Sequence, residues 1–232
     1  GGSSSLYQWY KDALPIGSPT SENTLIISAL NTDDAGEYSC EVTNTVATGL
    51  TLYADPATLE IIPAIQVTNT ADAGPGSLAD AIDFANGNAG KDSIVFNLEG
   101  TGVHTIQPAS PYIITDPIVI DGYSQEGSQF ADPGNSATLV IEINGMGLDE
   151  HINPGFSILS GGSTIRGLII NQFGDAGILL QDAGNNTIEG NYIGTDPAGN
   201  ATMANFTDGL RIVKSPNNHI GRISPDKRNI IS

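Results

Sequence analysis

Seven carboxylates and three cationic side chains stand at or beside short apolar runs in the later part of the chain: Asp121, Glu142, Asp175, Asp182, Glu189, Asp196 and Asp208, with Arg166, Arg211 and Lys214. Converging carboxylate oxygens hold calcium, and an Arg or Lys held beside them can take a proton from a sugar carbon. The competing account puts these groups on outer, solvated strand positions where opposite signs neutralise one another. The second account is preferred, because no complete calcium-loop motif is present, so no catalytic residue and no metal ligand is assigned. Calcium is the one ion the composition admits; no other cofactor is expected.

The remaining reactive types argue the same way. His104, His151 and His219 are far apart and lack metal-ligand spacing. Cys40 is the only cysteine, so it makes no disulfide within the chain, and it is read as a buried, inert thiol. Asn185-Asn186 and Asn217-Asn218 fit turns in which asparagine side chains bond to the backbone. The candidate surface for a ligand or partner is Tyr192, Met203 and Phe206 around the long interruption Asp196–Thr207, together with Arg166 and Arg211.

Charge narrows the partners. The 232 residues carry 26 acidic against 8 basic groups, a net charge of −18. Each phosphate contact needs Lys or Arg, so nucleic acid and anionic lipid are excluded. No apolar run reaches the length of a membrane span. The expected partners are other domains or copies of the same protein, by strand addition, or a glycan.

The elements that must position these residues are repetitive. Gly155-Phe156-Ser157-Ile158, Gly177-Ile178-Leu179-Leu180 and Gly209-Leu210-Arg211-Ile212 overlay, and each is followed by a second bead: Thr164-Ile165-Arg166-Gly167, Thr187-Ile188-Glu189-Gly190 and His219-Ile220-Gly221. Alternation over four or five residues between Gly, Asn and Ser breaks describes short strands, and such units bury their apolar row only by stacking. Phe156, Ile158, Ile165, Ile178, Leu180, Ile188, Leu210, Ile212 and Ile220 should form one column, which a parallel β-helix supplies. One helix is predicted over Ser77–Asn86, with Ser77 as N-cap and Leu78, Ala81, Ile82 and Ala85 on one face. Its expected task is to cover the end of the column.

Residues 1–62 read differently. Strands are expected at Tyr7–Lys11, Thr24–Ile27, Glu37–Val42, Gly49–Tyr53 and Thr58–Ile62. Trp9 followed by Asp34-Ala35-Gly36-Glu37-Tyr38-Ser39-Cys40 resembles the immunoglobulin-like fold, with Trp9 in the core and Tyr38 as its tyrosine corner. The resemblance gives Trp9, Asp34, Gly36, Tyr38 and Cys40 structural roles. It also implies two strands and a pairing Cys before Trp9, which precede this chain in the full protein or come from another segment or molecule.

Residues 63–232 carry a second resemblance. Val67-Thr68-Asn69-Thr70, Gly76-Ser77-Leu78-Ala79-Asp80-Ala81, Asp92-Ser93-Ile94-Val95-Phe96-Asn97 and Ile118-Val119-Ile120-Asp121-Gly122-Tyr123 resemble the "CSLREA"-type segment of large secreted bacterial right-handed β-helix proteins, with the Cys, Arg and Glu of that name replaced. The fold class is therefore read as all-β: a partial immunoglobulin-like sandwich over 1–62, then a capped right-handed parallel β-helix over 63–232 that continues past Ser232. The resemblance implies a structural or adhesive module of an exported cell-surface protein, a stalk, filament or adhesin and a cargo of a secretion system such as type IX. Pectate-lyase-like enzymes share this solenoid, so the alternative is a protein that binds or cleaves polysaccharide.

Overall fold

The computed structural model describes residues 4–28, 30–61, 64–148 and 153–232. The chain divides into two compact units, Gly1–Ile62 and Pro63–Ser232. It is all-β, with one α-helix among the described residues.

Unit 1 is an antiparallel sheet of β1 (Ser5–Lys11), β2 (Leu14–Thr20), β3 (Gly36–Asn44), β4 (Thr51–Tyr53) and β5 (Ala57–Leu59). Asp12 and Ala13, at φ 50° and 63°, supply the twist that a two-residue hairpin link requires. The chain thus returns at once as β2, where the sequence suggested only a turn. The strand expected at Thr24–Ile27 is not formed. Leu25 and Ile27 are half-buried while Thr24 and Ile26 are exposed, so the alternation does sort the side chains. A strand also needs a partner edge, and alternation says nothing of one. The last expected strand is seen as β5 and ends at Leu59, with Glu60 and Ile61 outside it; Ile62 lies outside the described residues.

Unit 2 begins with β6 (Ala64–Val67) and helix α1 (Leu78–Gly87). Ser77 accepts the N–H of Asp80 as N-cap, and Leu78, Ala81, Ile82 and Ala85 are buried, so the helix forms for the reasons its sequence gives. Then follow β7 (Asp92–Phe96), β8 (His104–Ile106), β9 (Tyr112–Ile114), β10 (Ile118–Asp121), β11 (Ile141–Asn144), β12 (Phe156–Ile158), β13 (Thr164–Arg166), β14 (Leu168–Asn171), β15 (Ile178–Gln181), β16 (Thr187–Glu189), β17 (Tyr192–Ile193), β18 (Leu210–Val213), β19 (His219–Ile220) and β20 (Ile230–Ile231). From β7 onward the chain visits three sheets in rotation. The first is β6-β7-β10-β13-β16-β19, the second β8-β11-β14-β17-β20, and the third β9-β12-β15-β18. All of these pairings are parallel.

The register explains why. Ile65, Ile94, Ile120, Ile165, Ile188 and Ile220 face one another in turn across the first sheet. Ile106, Ile143, Ile170, Ile193 and Ile231 do so across the second. In the third, Tyr112, Phe156, Ile178 and Leu210 align, as do Ile114, Ile158, Leu180 and Ile212. Like side chains stacked at the strand spacing fill the interior, and slipping by one residue would turn each row outward.

Corners hold the rotation. Gly167, Gly190 and Gly221 follow successive strands of the first sheet at φ 71°, 66° and 67°, a bend that glycine makes without strain. Asn186 is wholly buried; its Oδ1 accepts the N–H of Ser163, and its own N–H donates to Asn218 Oδ1. Asn191 does the same between Leu168 N–H and Asn229 Oδ1. Each asparagine satisfies a backbone group that leaves the ladder at the corner.

The ends differ from the middle. Six of the nine expected column residues, Phe156, Ile158, Ile165, Ile178, Leu180 and Ile188, are 0% exposed. On the last circuit Leu210 is half-buried, and Ile212 and Ile220 are 47% and 36% exposed. The other end lies under α1, which packs on β6, β7 and β9.

Candidate functional site

Outward positions of the first sheet bring three of the candidate groups into one row. Asp121, Arg166 and Glu189 are register partners on β10, β13 and β16. Arg166 Nη2 donates to Asp121 Oδ2 at 2.6 Å, and this bond, with the charge of Asp121 and Glu189 behind it, raises the guanidinium pKa against the cost of its burial. Glu189 is approached by Lys227 Nζ at 3.7 Å and Arg222 Nε at 3.8 Å. Cation follows anion along the row.

Arg211 belongs to β18, in the third sheet, so the two arginines share no face of one sheet. Its guanidinium donates to both oxygens of Asp175, at 2.7 and 3.1 Å, and to Asp208 at 2.7 Å. The bonds to Asp175 and Asp208 raise its pKa. Partial burial pushes Asp175 upward, yet hydrogen bonds from Thr207 and Arg211 outweigh it and hold the carboxyl below its ordinary range.

The other acids are spread out. Glu142, expected outside, is 6% exposed, and it accepts from Thr105 Oγ1 at 2.7 Å and Asn171 Nδ2 at 2.9 Å. Asn171 Oδ1 accepts in turn from Asn144, whose amide also donates to Gln172. This buried polar chain has no apolar pattern to announce it; the register of Glu142 beside Thr105, and of Asn144 beside Asn171, is its only trace. Asp196 receives the N–H groups of Asn200 and Ala201, which lower its pKa. Asp182 stands in a left-handed turn at φ 64° and accepts from Gln181 Nε2.

Among the aromatic candidates Tyr192 is 3% exposed, with its hydroxyl donating to the Ala137 carbonyl. Tyr123, Ala137 and Leu139 cover it and Ile169, so the segment after β10 closes the outer face of the second sheet. Burial raises its phenol pKa. Met203 is half-buried against Asn171. Phe206 is 68% exposed and borders a groove of about 310 Å³ with Met146, Phe173 and Gln172. Neither Tyr192 nor Met203 lines that groove, so the expected surface is not one surface.

No family model and no curated protein matches the chain. What the site can do must come from its geometry. A guanidinium takes up a proton only after losing its own, and the carboxylates of Asp121 and of Asp175 and Asp208 hold Arg166 and Arg211 protonated; Lys214, the third candidate base, makes no ion pair among the described residues. Among the described residues no three His, Cys, Asp or Glu groups come together to hold a metal, and His151 lies outside them.

In unit 1 Trp9, expected in the core, is only half-buried. Trp9 and Cys40 are opposite one another on β1 and β3, and Tyr38 donates its hydroxyl to the Asp34 carbonyl at 2.7 Å. Asn31 and Asp34 cap the turn between them reciprocally. Gly36 sits at φ 153°, a conformation that L side chains rarely adopt, and a Cβ there would stand 2.7 Å from the Asp12 carboxylate, which would have to move aside. Burial raises the Cys40 thiol pKa, which keeps the thiolate, the reactive form, scarce.

Proposed function

We propose that this chain is a structural or adhesive module of a large exported bacterial cell-surface protein, in which an immunoglobulin-like domain leads into a capped parallel β-helix. The observation that carries the reading is the pairing of charge: Arg166 with Asp121, and Arg211 with Asp175 and Asp208. These outer groups serve the wall of a stacked solenoid, and neither Arg166 nor Arg211 is left as a free base over a carboxylate cluster. The tyrosine-corner bond of Tyr38 supports the immunoglobulin-like half, and the rotation through three parallel sheets supports the β-helix half. Function then resides in a rigid, regular surface rather than in a reaction.

The test joins two measurements. Antibody raised against the chain should label intact source cells, and the purified chain with calcium should leave acidic polysaccharides at full length. Release of unsaturated oligosaccharides, lost on Arg166→Met, would replace this reading with a lyase.

A further inference from the structure

Polar side chains on the middle circuits of unit 2 are engaged with one another: Arg166 with Asp121, Arg211 with Asp175, Glu142 with Asn171. One cleft breaks that pattern. It has a volume of about 550 Å³ and lies where β6 and β7 end and β8 begins, lined by Thr68, Thr70, Asn97, Glu99 and His104 together with the buried Leu98. Among the described residues the five polar side chains form no hydrogen bond and no ion pair. Thr68, Thr70, Asn97 and Glu99 are exposed and His104 is half-buried. His104 Nε2 is itself buried without a partner, which is uncommon in a folded protein and calls for a group the chain does not supply. The backbone that carries these side chains is held. Asn97 N–H donates to the Val67 carbonyl at 2.9 Å, and Thr68 N–H to the Gly76 carbonyl at 2.8 Å. Gln125 grips Leu98 from both sides, Oε1 accepting its N–H at 2.8 Å and Nε2 donating to its carbonyl at 3.0 Å. Asn69, which also borders the cleft, is spent on its own turn, donating from Nδ2 to the Pro75 carbonyl. Free side chains on a fixed backbone leave little freedom to be lost when a ligand binds.

We propose that this cleft binds a neutral sugar through adjacent hydroxyl groups. The chemistry of the lining selects that class. No Lys or Arg is among the lining residues, and Glu99 repels an anion, so a phosphate, sulfate or uronate group meets no counter-charge there. Leu98 alone is too little apolar surface for a lipid chain or an apolar helix. Glu99 and His104 are two metal donors where a bound zinc takes three or four. What fits is a ligand that gives and accepts hydrogen bonds on neighbouring atoms. Asn97 offers both an amide N–H and a carbonyl, Glu99 accepts, and the threonine hydroxyls do either. Vicinal hydroxyls of a sugar ring match such a set, and the volume lies within the range of about 300–1,000 Å³ for small-ligand sites. The inference rests on the adhesive side of the module reading and deepens it by naming the class of ligand.

Saturation-transfer NMR on the full chain tests it, with neutral gluco-, galacto-, manno- and N-acetylglucosamine-type disaccharides beside sialylated and sulfated ones. At least one neutral disaccharide should receive saturation, and the charged ones should not. Asn97→Ala and Glu99→Gln should each weaken that binding about tenfold, through loss of the hydrogen bonds they make to it. Both side chains are exposed, and an unchanged thermal midpoint checks that the fold is kept. Phe206→Ala, outside this cleft, should leave the binding as it was. Saturation of no neutral disaccharide at millimolar concentration would overturn the proposal. So would preference for a charged glycan, binding that survives both cleft variants, or saturation that appears only after zinc or calcium is added. Each of those results leaves the structural reading to its own test by cell-surface labelling. Polysaccharide cleavage would instead overturn that reading, while a sugar held by Asn97 and Glu99 stands on its own.

Discussion

Unit 1 and unit 2 are built from the same material, short strands of alternating character, and they bury it very differently. Among the described residues of unit 1 only Cys40 is a fully buried apolar side chain, while Leu14, Ile26, Val46, Leu52 and Tyr53 are more than half exposed. Unit 2 places Ile94, Ile120, Ile165 and Ile188 in one row at 0% exposure, with matching rows in its other sheets. The described residues of unit 1 form a single sheet with little packed against it, whereas a chain wound through three sheets covers each inner face with the other two. Local strand formation is thus similar in both, and the stability comes from stacking.

That contrast predicts a sequence of effects. The largest belongs to Phe156→Ala, which removes a wholly buried ring that contacts Tyr112 at 5.2 Å between centroids; it should cost about 3–5 kcal/mol in chemical denaturation. Ile165→Ala, in the middle of the isoleucine row, should cost about 2–5 kcal/mol by the same measure. Asn191→Ala strands the Leu168 N–H and the Ile165 carbonyl at a buried corner, for a loss of about 1–3 kcal/mol. Ile26→Ala, at a side chain 80% exposed in unit 1, should change stability by less than about 0.5 kcal/mol. If Ile26→Ala matched Ile165→Ala, the contrast between the units would be lost.

A further small effect is electrostatic. Asp175 titrates below its ordinary value because Thr207 and Arg211 hold its charged form. Its contribution is therefore fully present above the ordinary carboxylate range and disappears as pH falls through the lowered value. Arg211 is 34% exposed at its side chain, so screening keeps the contribution below about 1 kcal/mol. Comparing Asp175→Asn with the parent should show a stability gap at neutral pH that closes in acid.

The legible part of this molecule was its periodicity. Overlaying Gly155, Gly177 and Gly209 aligns the strands that are in fact neighbours in the third sheet, because a stacked circuit repeats its inward residues at fixed positions. Helix α1 was legible from Ser77 and four apolar positions, since cap and face are local properties. What escaped was set by distant segments. Tyr192 looks like a surface aromatic until Ala137 and Leu139 fold over it. Glu142 reads as an outward charge, yet Thr105 and Asn171 enclose it from the circuits on either side. Strand β2 and the unpaired Thr24–Ile27 were exchanged because alternation reports a side chain's direction and not which backbone edge is free. The candidate arginines were legible as residues, but Asp121 and Asp175, which neutralise them, are 45 and 36 positions away in sequence, and only Asp208, three residues from Arg211, is local.

The most direct measurement is amide hydrogen exchange on the intact chain, followed by fragment. The account predicts that the amides of β10 through β17 exchange only by global unfolding of unit 2, while those of β1 through β5 exchange orders of magnitude faster through local opening. Equal protection of both sets would contradict it, since the buried rows would then not be what sets the stability of this fold.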